Sequence, residues 1–157
     1  MHSIFLYLWY MEKEKTFDHA LRATWQSVAK FYNEKALKHE STMAMAMALL
    51  YIDYEKGTPS TALGPSMGME PTSLSRILNN MEEKGFIYRE KNPKDGRGVL
   101  VKLTDLGKEK REISKITVYE LNNKIKENLT EEKIRHFFEV IDTINNVINK
   151  KEIYFKD

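Results

Sequence analysis

Between Gly85 and Thr104 the texture of the chain changes. On either side, apolar residues recur at spacings of three and four. Here two β-prone runs, Phe86-Ile87-Tyr88-Arg89 and Val99-Leu100-Val101-Lys102-Leu103, flank Asn92-Pro93-Lys94-Asp95-Gly96-Arg97-Gly98. Such a stretch is a hairpin with a basic tip. Set in a chain otherwise patterned for helices, it predicts a mainly α fold with one small β-hairpin, in the order α-α-α-α-β-β-α-α.

The first helix is expected from Glu12 to about Ala36, where Phe17, Leu21, Trp25, Val28 and Tyr32 share one face. From Ser41 to Tyr54, Met and Ala alternate with a strand-like period of two. Ala, Met and Leu favour helix, however, so a buried helix capped by Ser41 or Thr42 is expected. Thr58-Pro59 reads as the cap and first residue of a short helix reaching about Met67. The turn Gly68-Met69-Glu70 then leads to Pro71, which opens a helix carrying Leu74, Ile77, Leu78 and Met81 and closed by Gly85. Thr104 and Thr130 cap two more helices, the first with Ile113, Ile116, Leu121 and Ile125, the second with Ile134, Phe137, Phe138, Ile141, Ile144 and Ile148.

The chain of 157 residues suits one compact domain with a real core. Without cysteine it has no disulfide, zinc-thiolate site, thiol nucleophile or thiol redox sensor. No glycine-rich phosphate loop, nucleophile elbow or carboxylate pair with a positioned histidine is present, so no enzyme and no cofactor are expected. His2, His19, His39 and His136 have no spacing that sets two on one helix face, and no metal site is expected. The apolar residues Ile4 to Tyr10 are far fewer than the roughly 20 that a membrane span needs, and no cleavage site follows. A cytoplasmic protein without a membrane partner is the expectation. Residues 1–10 have two open readings: a start upstream of the true one at Met11, or an apolar arm packing on a partner subunit.

The net charge of +2 is small, but its distribution is not even. Residues 71–111 hold ten Lys and Arg against six Asp and Glu, an excess of four positive charges that leaves the remainder at −2. Positive charge is thus gathered around the helix opened by Pro71 and the hairpin, as phosphate neutralisation requires. A B-DNA major groove about 12 Å wide admits one helix. The exposed start of this helix supplies hydrogen-bonding groups in Thr72, Ser73, Ser75, Arg76 and, a turn later, Asn79.

Thr72-Ser73-Leu74-Ser75-Arg76, Glu82-Glu83-Lys84-Gly85-Phe86-Ile87, Asp95-Gly96-Arg97 and Leu103-Thr104-Asp105-Leu106-Gly107 together resemble the multiple-antibiotic-resistance-regulator (MarR) family. The resemblance is motif-specific over residues 58–111 and extends from about Glu12 to Lys150 in helix order and length. It implies one MarR-like domain over 1–157, with a winged helix-turn-helix core at 55–105 and dimerisation helices at 12–54 and 106–150. It further implies a homodimer on a pseudo-palindromic double-stranded operator, each recognition helix in a major groove and each hairpin wing in a minor groove. Arg97 would read from the wing tip with Lys94 beside it, and Asp95 would orient the arginine or the wing backbone. Arg89 and Lys91 are further candidate DNA contacts, although a solvent-facing ribbon carries such charges anyway. Asn80 reads instead as part of a solvated polar face.

Trp25, Met43 and Met47 suggest an effector pocket for a small aromatic ligand, set against the plainer reading of core packing. Repression relieved by such a ligand is the expected output. The alternative is a winged-helix protein-interaction module without specific DNA binding. One local feature departs from the family pattern: Gly64-Pro65 falls inside the first helix of the pair and predicts a short or kinked element there.

Overall fold

The computed structural model describes residues 16–93 and 95–150, apart from the side chains of residues 95–97. Seven strands and helices were anticipated in their observed places: α1 (Phe17–Leu37), α2 (Met43–Tyr51), α4 (Pro71–Glu83), β2 (Ile87–Asn92), β3 (Asp95–Leu103), α5 (Asp105–Glu127) and α6 (Glu131–Asn149). The region between α2 and α4 differs from expectation. Thr58–Pro59 form a strand, β1, and only then does α3 (Ser60–Met67) begin, with Pro59 as its N-cap. A two-residue strand has no periodicity of its own; it exists because β3 offers a free edge. Thr58 pairs with Val101 and Pro59 with Leu100, giving an antiparallel sheet ordered β1-β3-β2.

The strands also run further into the hairpin tip than their β-prone residues indicated. Lys91 faces Val99 but Asn92 faces Asp95, so Gly96-Arg97-Gly98 are extra residues on β3 with no opposite number. Two glycines at such an irregularity relieve the packing demand of a regular ladder.

The chain divides within α5, after Thr117, into two compact units. The first contains the core, in which Leu49, Ile52, Leu63, Met81, Ile87 and Val101 are fully buried. Each such side chain contributes about 2 kcal/mol of transfer free energy. Ala48 and Leu49 are wholly buried, so the Met/Ala run is the expected buried helix. Its cap is Thr42, whose hydroxyl accepts from the Met45 N–H at 3.2 Å. Asn33 on α1 accepts from the Met43 N–H at 3.0 Å and ties α1 to the start of α2.

Pro65 does lie inside α3, and the helix is short at 8 residues. Pro65 is the sixth residue, so its missing N–H removes the bond to the Thr61 carbonyl, and the helix ends two residues later. Gly68 follows at φ 62 in the left-handed region. Its N–H bonds the Pro65 carbonyl at 3.2 Å and the Met69 N–H bonds the Gly64 carbonyl at 2.9 Å. This paired closure satisfies the last carbonyls and starts the turn into α4.

The second unit comprises the end of α5 and α6. Thr130 caps α6 by accepting from the Lys133 N–H at 3.3 Å. None of the 19 residues of α6 is buried, although its apolar residues keep helical spacing. Among the described residues no helix is long and apolar enough to cross a membrane, and no group of three His, Cys, Asp or Glu is placed to hold a metal.

Candidate nucleic-acid interface

Pro71 at the first position of α4 sacrifices only an N–H that has no intrahelical partner. Leu74, Leu78 and Met81 are buried beneath the helix, and that packing decides which face looks outward. Pro71, Thr72, Ser75, Arg76, Asn79, Asn80 and Glu83 line one open surface groove along its other side. At 13 residues the helix is about 20 Å long, so this stripe of donors and acceptors runs through more than three turns. Four of the five helix positions singled out from sequence therefore share one line. Ser73 is exposed but lies off the groove. Asn80, read from sequence as solvated surface, stands on the groove.

The exit from α4 is built with the same device as the exit from α3. Gly85 takes φ 70, its N–H bonds the Glu82 carbonyl at 2.9 Å, and the Phe86 N–H bonds the Met81 carbonyl at 2.8 Å. Buried Phe86 then feeds directly into β2. Thr104, at the far end of the hairpin, returns to this corner. Its hydroxyl donates to the Gly85 and Phe86 carbonyls, its N–H bonds the Phe86 carbonyl at 3.1 Å, and its Oγ1 accepts from the Gly107 N–H at 3.0 Å. Thr104 thus caps α5 while locking both roots of the hairpin to the end of α4. Gly107 is required there, because a Cβ on it would stand 1.8 Å from the Phe86 carbonyl oxygen.

Arg89, on β2, turns back onto α4. One guanidinium nitrogen pairs with Glu82 Oε2, and Nη2 donates to Asn79 Oδ1 at 2.9 Å. Arg89 is only partly exposed. Sequence reasoning missed Glu82 and this bracing of hairpin against helix. The available signal was the three-residue spacing of Asn79 and Glu82, which puts both on one side of a helix. Lys102 on β3 pairs with Glu90 at 2.8 Å, an ion pair that raises the lysine's pKa. With Arg111, which pairs with Glu112 at 3.3 Å, at least three of the ten positive charges of this region are committed internally. Arg76 and Lys91 are exposed. Lys94 lies outside the described residues, as do the side chains of Asp95 and Arg97, although the backbone places residues 95 and 97 at the tip of the hairpin.

The candidate effector residues differ in exposure. Met47 packs at the edge of the core, Met43 is partly buried, and Trp25 is 53% exposed on α1. Tyr54, just beyond α2, receives Lys108 at 4.9 Å and Arg111 at 5.7 Å over its ring, which fixes the start of α5 against the loop after α2.

Two short helices joined by a left-handed turn, with a hairpin after them that completes a three-stranded sheet with β1, define a winged helix-turn-helix protein. The MarR family model matches residues 42–99, which run from the start of α2 into β3. Among curated relatives, the HTH-type transcriptional regulator YdgJ of Bacillus subtilis is 31% identical over 90 residues, which span 57% of this chain and 55% of that regulator. The chain thus spans only about half the length of this relative. Among solved structures, the S. aureus MepR–DNA complex superposes with a TM-score of 0.77 at 19% identity, covering 83% of this chain and 97% of MepR. The PcaV transcriptional regulator of Streptomyces coelicolor, in complex with its natural ligand, gives 0.73 at 19% identity, covering 88% and 97%. These are transcriptional regulators and not enzymes.

Proposed function

We propose that this chain is a cytoplasmic, sequence-specific DNA-binding transcription regulator that acts as a homodimer. The observation that carries the reading is the α4 stripe: Thr72, Ser75, Arg76, Asn79 and Asn80 on one exposed line, beside a hairpin hydrogen-bonded to the same helix. A helix so equipped fits a major groove, and the hairpin tip with Lys94, Asp95 and Arg97 reaches the neighbouring minor groove. Ser73 and Lys91, both exposed, flank these contacts and serve the phosphate backbone. The fold shared with MepR, which was crystallised on DNA, supports the assignment.

The dimer is supported by apolar surface that is exposed among the described residues. Phe17 and Trp25 on α1, Ile116 and Tyr119 on α5, and Phe137, Phe138 and Ile148 on α6 are each more than half exposed. Surface of this kind on three helices marks an association site. Residues 12–54 and 106–150 then serve dimerisation around the DNA-binding core at 55–105. A two-fold dimer calls for a pseudo-palindromic operator with half-site centres about 34 Å apart. Repression is the output, relieved by a small aromatic ligand bound near Trp25, Met43 and Met47. PcaV, which shares the fold and was crystallised with its ligand, supports such an arrangement.

The test is a gel shift on duplexes from the protein's own upstream region. Retention should fall steeply with salt, and Arg97→Ala should weaken binding. An unchanged affinity in Arg97→Ala counts against the wing's role. Salt-insensitive capture of a protein, with no DNA retention, would overturn the reading in favour of a protein-interaction module.

A further inference from the structure

The Asn79 carboxamide carries one oxygen that accepts through two lone pairs and one amino group with two donor hydrogens. Its Oδ1 lies 2.9 Å from Arg89 Nη2. A guanidinium only donates, so this orientation of the amide is dictated by chemistry: the amino group cannot face the arginine. Glu82, one helical turn beyond Asn79, takes another nitrogen of the same guanidinium and keeps Arg89 in place. Asn79 remains exposed and lines the α4 groove. Arg89 takes one of the two lone pairs and holds the oxygen toward β2, which leaves the NH2 donor as the freer end of the carboxamide.

We infer that Arg89 is a specificity-determining positioning residue: by holding Asn79 Oδ1 toward β2 it biases a donor-and-acceptor side chain toward donating. A free asparagine pairs with adenine bidentately, accepting from N6 and donating to N7. An asparagine whose oxygen is held toward Arg89 makes that pair poorly, because both ends of the amide must then face the base. It selects edges that present acceptors without a neighbouring amino group, namely guanine N7 and O6 or thymine O4. Arg89 therefore acts on sequence choice without touching a base. This inference rests on the DNA-binding reading proposed above and narrows it at one position of each half-site.

The test is selection from a randomised duplex library with the full-length wild type and with Asn79→Ala, Arg89→Met and Glu82→Gln. Thermal unfolding of each variant checks folding. In the wild type, the base pair whose preference disappears in Asn79→Ala should carry guanine or thymine toward the helix. In Arg89→Met the same base pair should move toward adenine by about tenfold, the worth of a good bidentate contact, with other positions retained. Glu82→Gln keeps the Asn79–Arg89 contact available and should shift the preference less. If Arg89→Met folds and lowers affinity evenly with no change at that base pair, Arg89 is only a brace or a phosphate contact and the inference is wrong. An adenine preference in the wild type overturns it equally. Should Arg89→Met fail to fold, the wild-type preference at the Asn79 position and the intermediate response of Glu82→Gln decide the matter. Enrichment of no sequence by any protein would instead sink the DNA-binding reading itself.

Discussion

Single atoms at the corner between α4, the hairpin and α5 carry more of the architecture than their size suggests. Gly107 sits on the first turn of α5 against the Phe86 carbonyl, where a Cβ would approach to 1.8 Å. Neither partner is the tip of a movable side chain, so Gly107→Ala should cost about 3 kcal/mol, read as a lowered midpoint in urea at constant slope. A loss well under 1 kcal/mol would mean that α5 can slide away from the hairpin root. Asp53 is a residue-scale case with a pH signature. Its Oδ1 accepts from the Glu55 and Lys56 N–H groups at 3.0 and 2.6 Å, which holds its carboxyl below the ordinary aspartate value. A depressed folded-state pKa contributes stability above the unfolded value, and that stability is lost as pH falls through the folded one. Asp53→Asn should therefore show a shallower decline in melting temperature than the wild type below about pH 4. Equal acid sensitivity would remove Asp53 from the account. The side chain is exposed, so the effect is small.

At the scale of elements, the helix-turn-helix and the hairpin are joined by capping as much as by the apolar core. Thr104 is an N-cap that also ties down the opposite end of the hairpin, through the Gly85 and Phe86 carbonyls. Thr104→Val keeps the branched shape and deletes those bonds. It should cost about 1–2 kcal/mol and raise amide exchange at the hairpin root and the first turn of α5. Exchange confined to α5 would show that the hydroxyl only caps. Arg89 works between the same elements from the other side, fixing β2 against the outer face of α4 through Asn79 and Glu82. Most local caps were legible in the sequence: Gly85, Thr104 and Thr130 cap as expected and Thr42 is one of the two residues expected at its helix, because capping depends on neighbours three or four residues away, whereas Thr58 is drawn into a strand and Pro59 caps instead. The Arg89 contact was not, because it needs the left-handed turn at Gly85 to bring β2 back along α4.

On the scale of the whole molecule, large apolar side chains of α1, α5 and α6 stand exposed among the described residues. A helix of 19 residues with no buried side chain draws little stability from its own chain. Phe138→Glu should therefore shift the protein toward monomer in sedimentation velocity at micromolar concentration and weaken operator binding. A monomeric wild type that still binds a full operator would contradict the proposed dimer.

The helical periods, the hairpin signature and the caps determined the class of fold and most element boundaries, because each rests on interactions within a few residues. The stripe on α4 was equally legible, since burial of Leu74, Leu78 and Met81 leaves only one outward face. Tertiary structure alone decided three things. It made Thr58–Pro59 a strand, because β3 offered an edge. It placed Asn80 on the groove and Ser73 off it. And it turned Arg89 from a free charge on a ribbon into the partner of Asn79, because pairing across a turn depends on where the chain returns and not on what lies next to it in sequence.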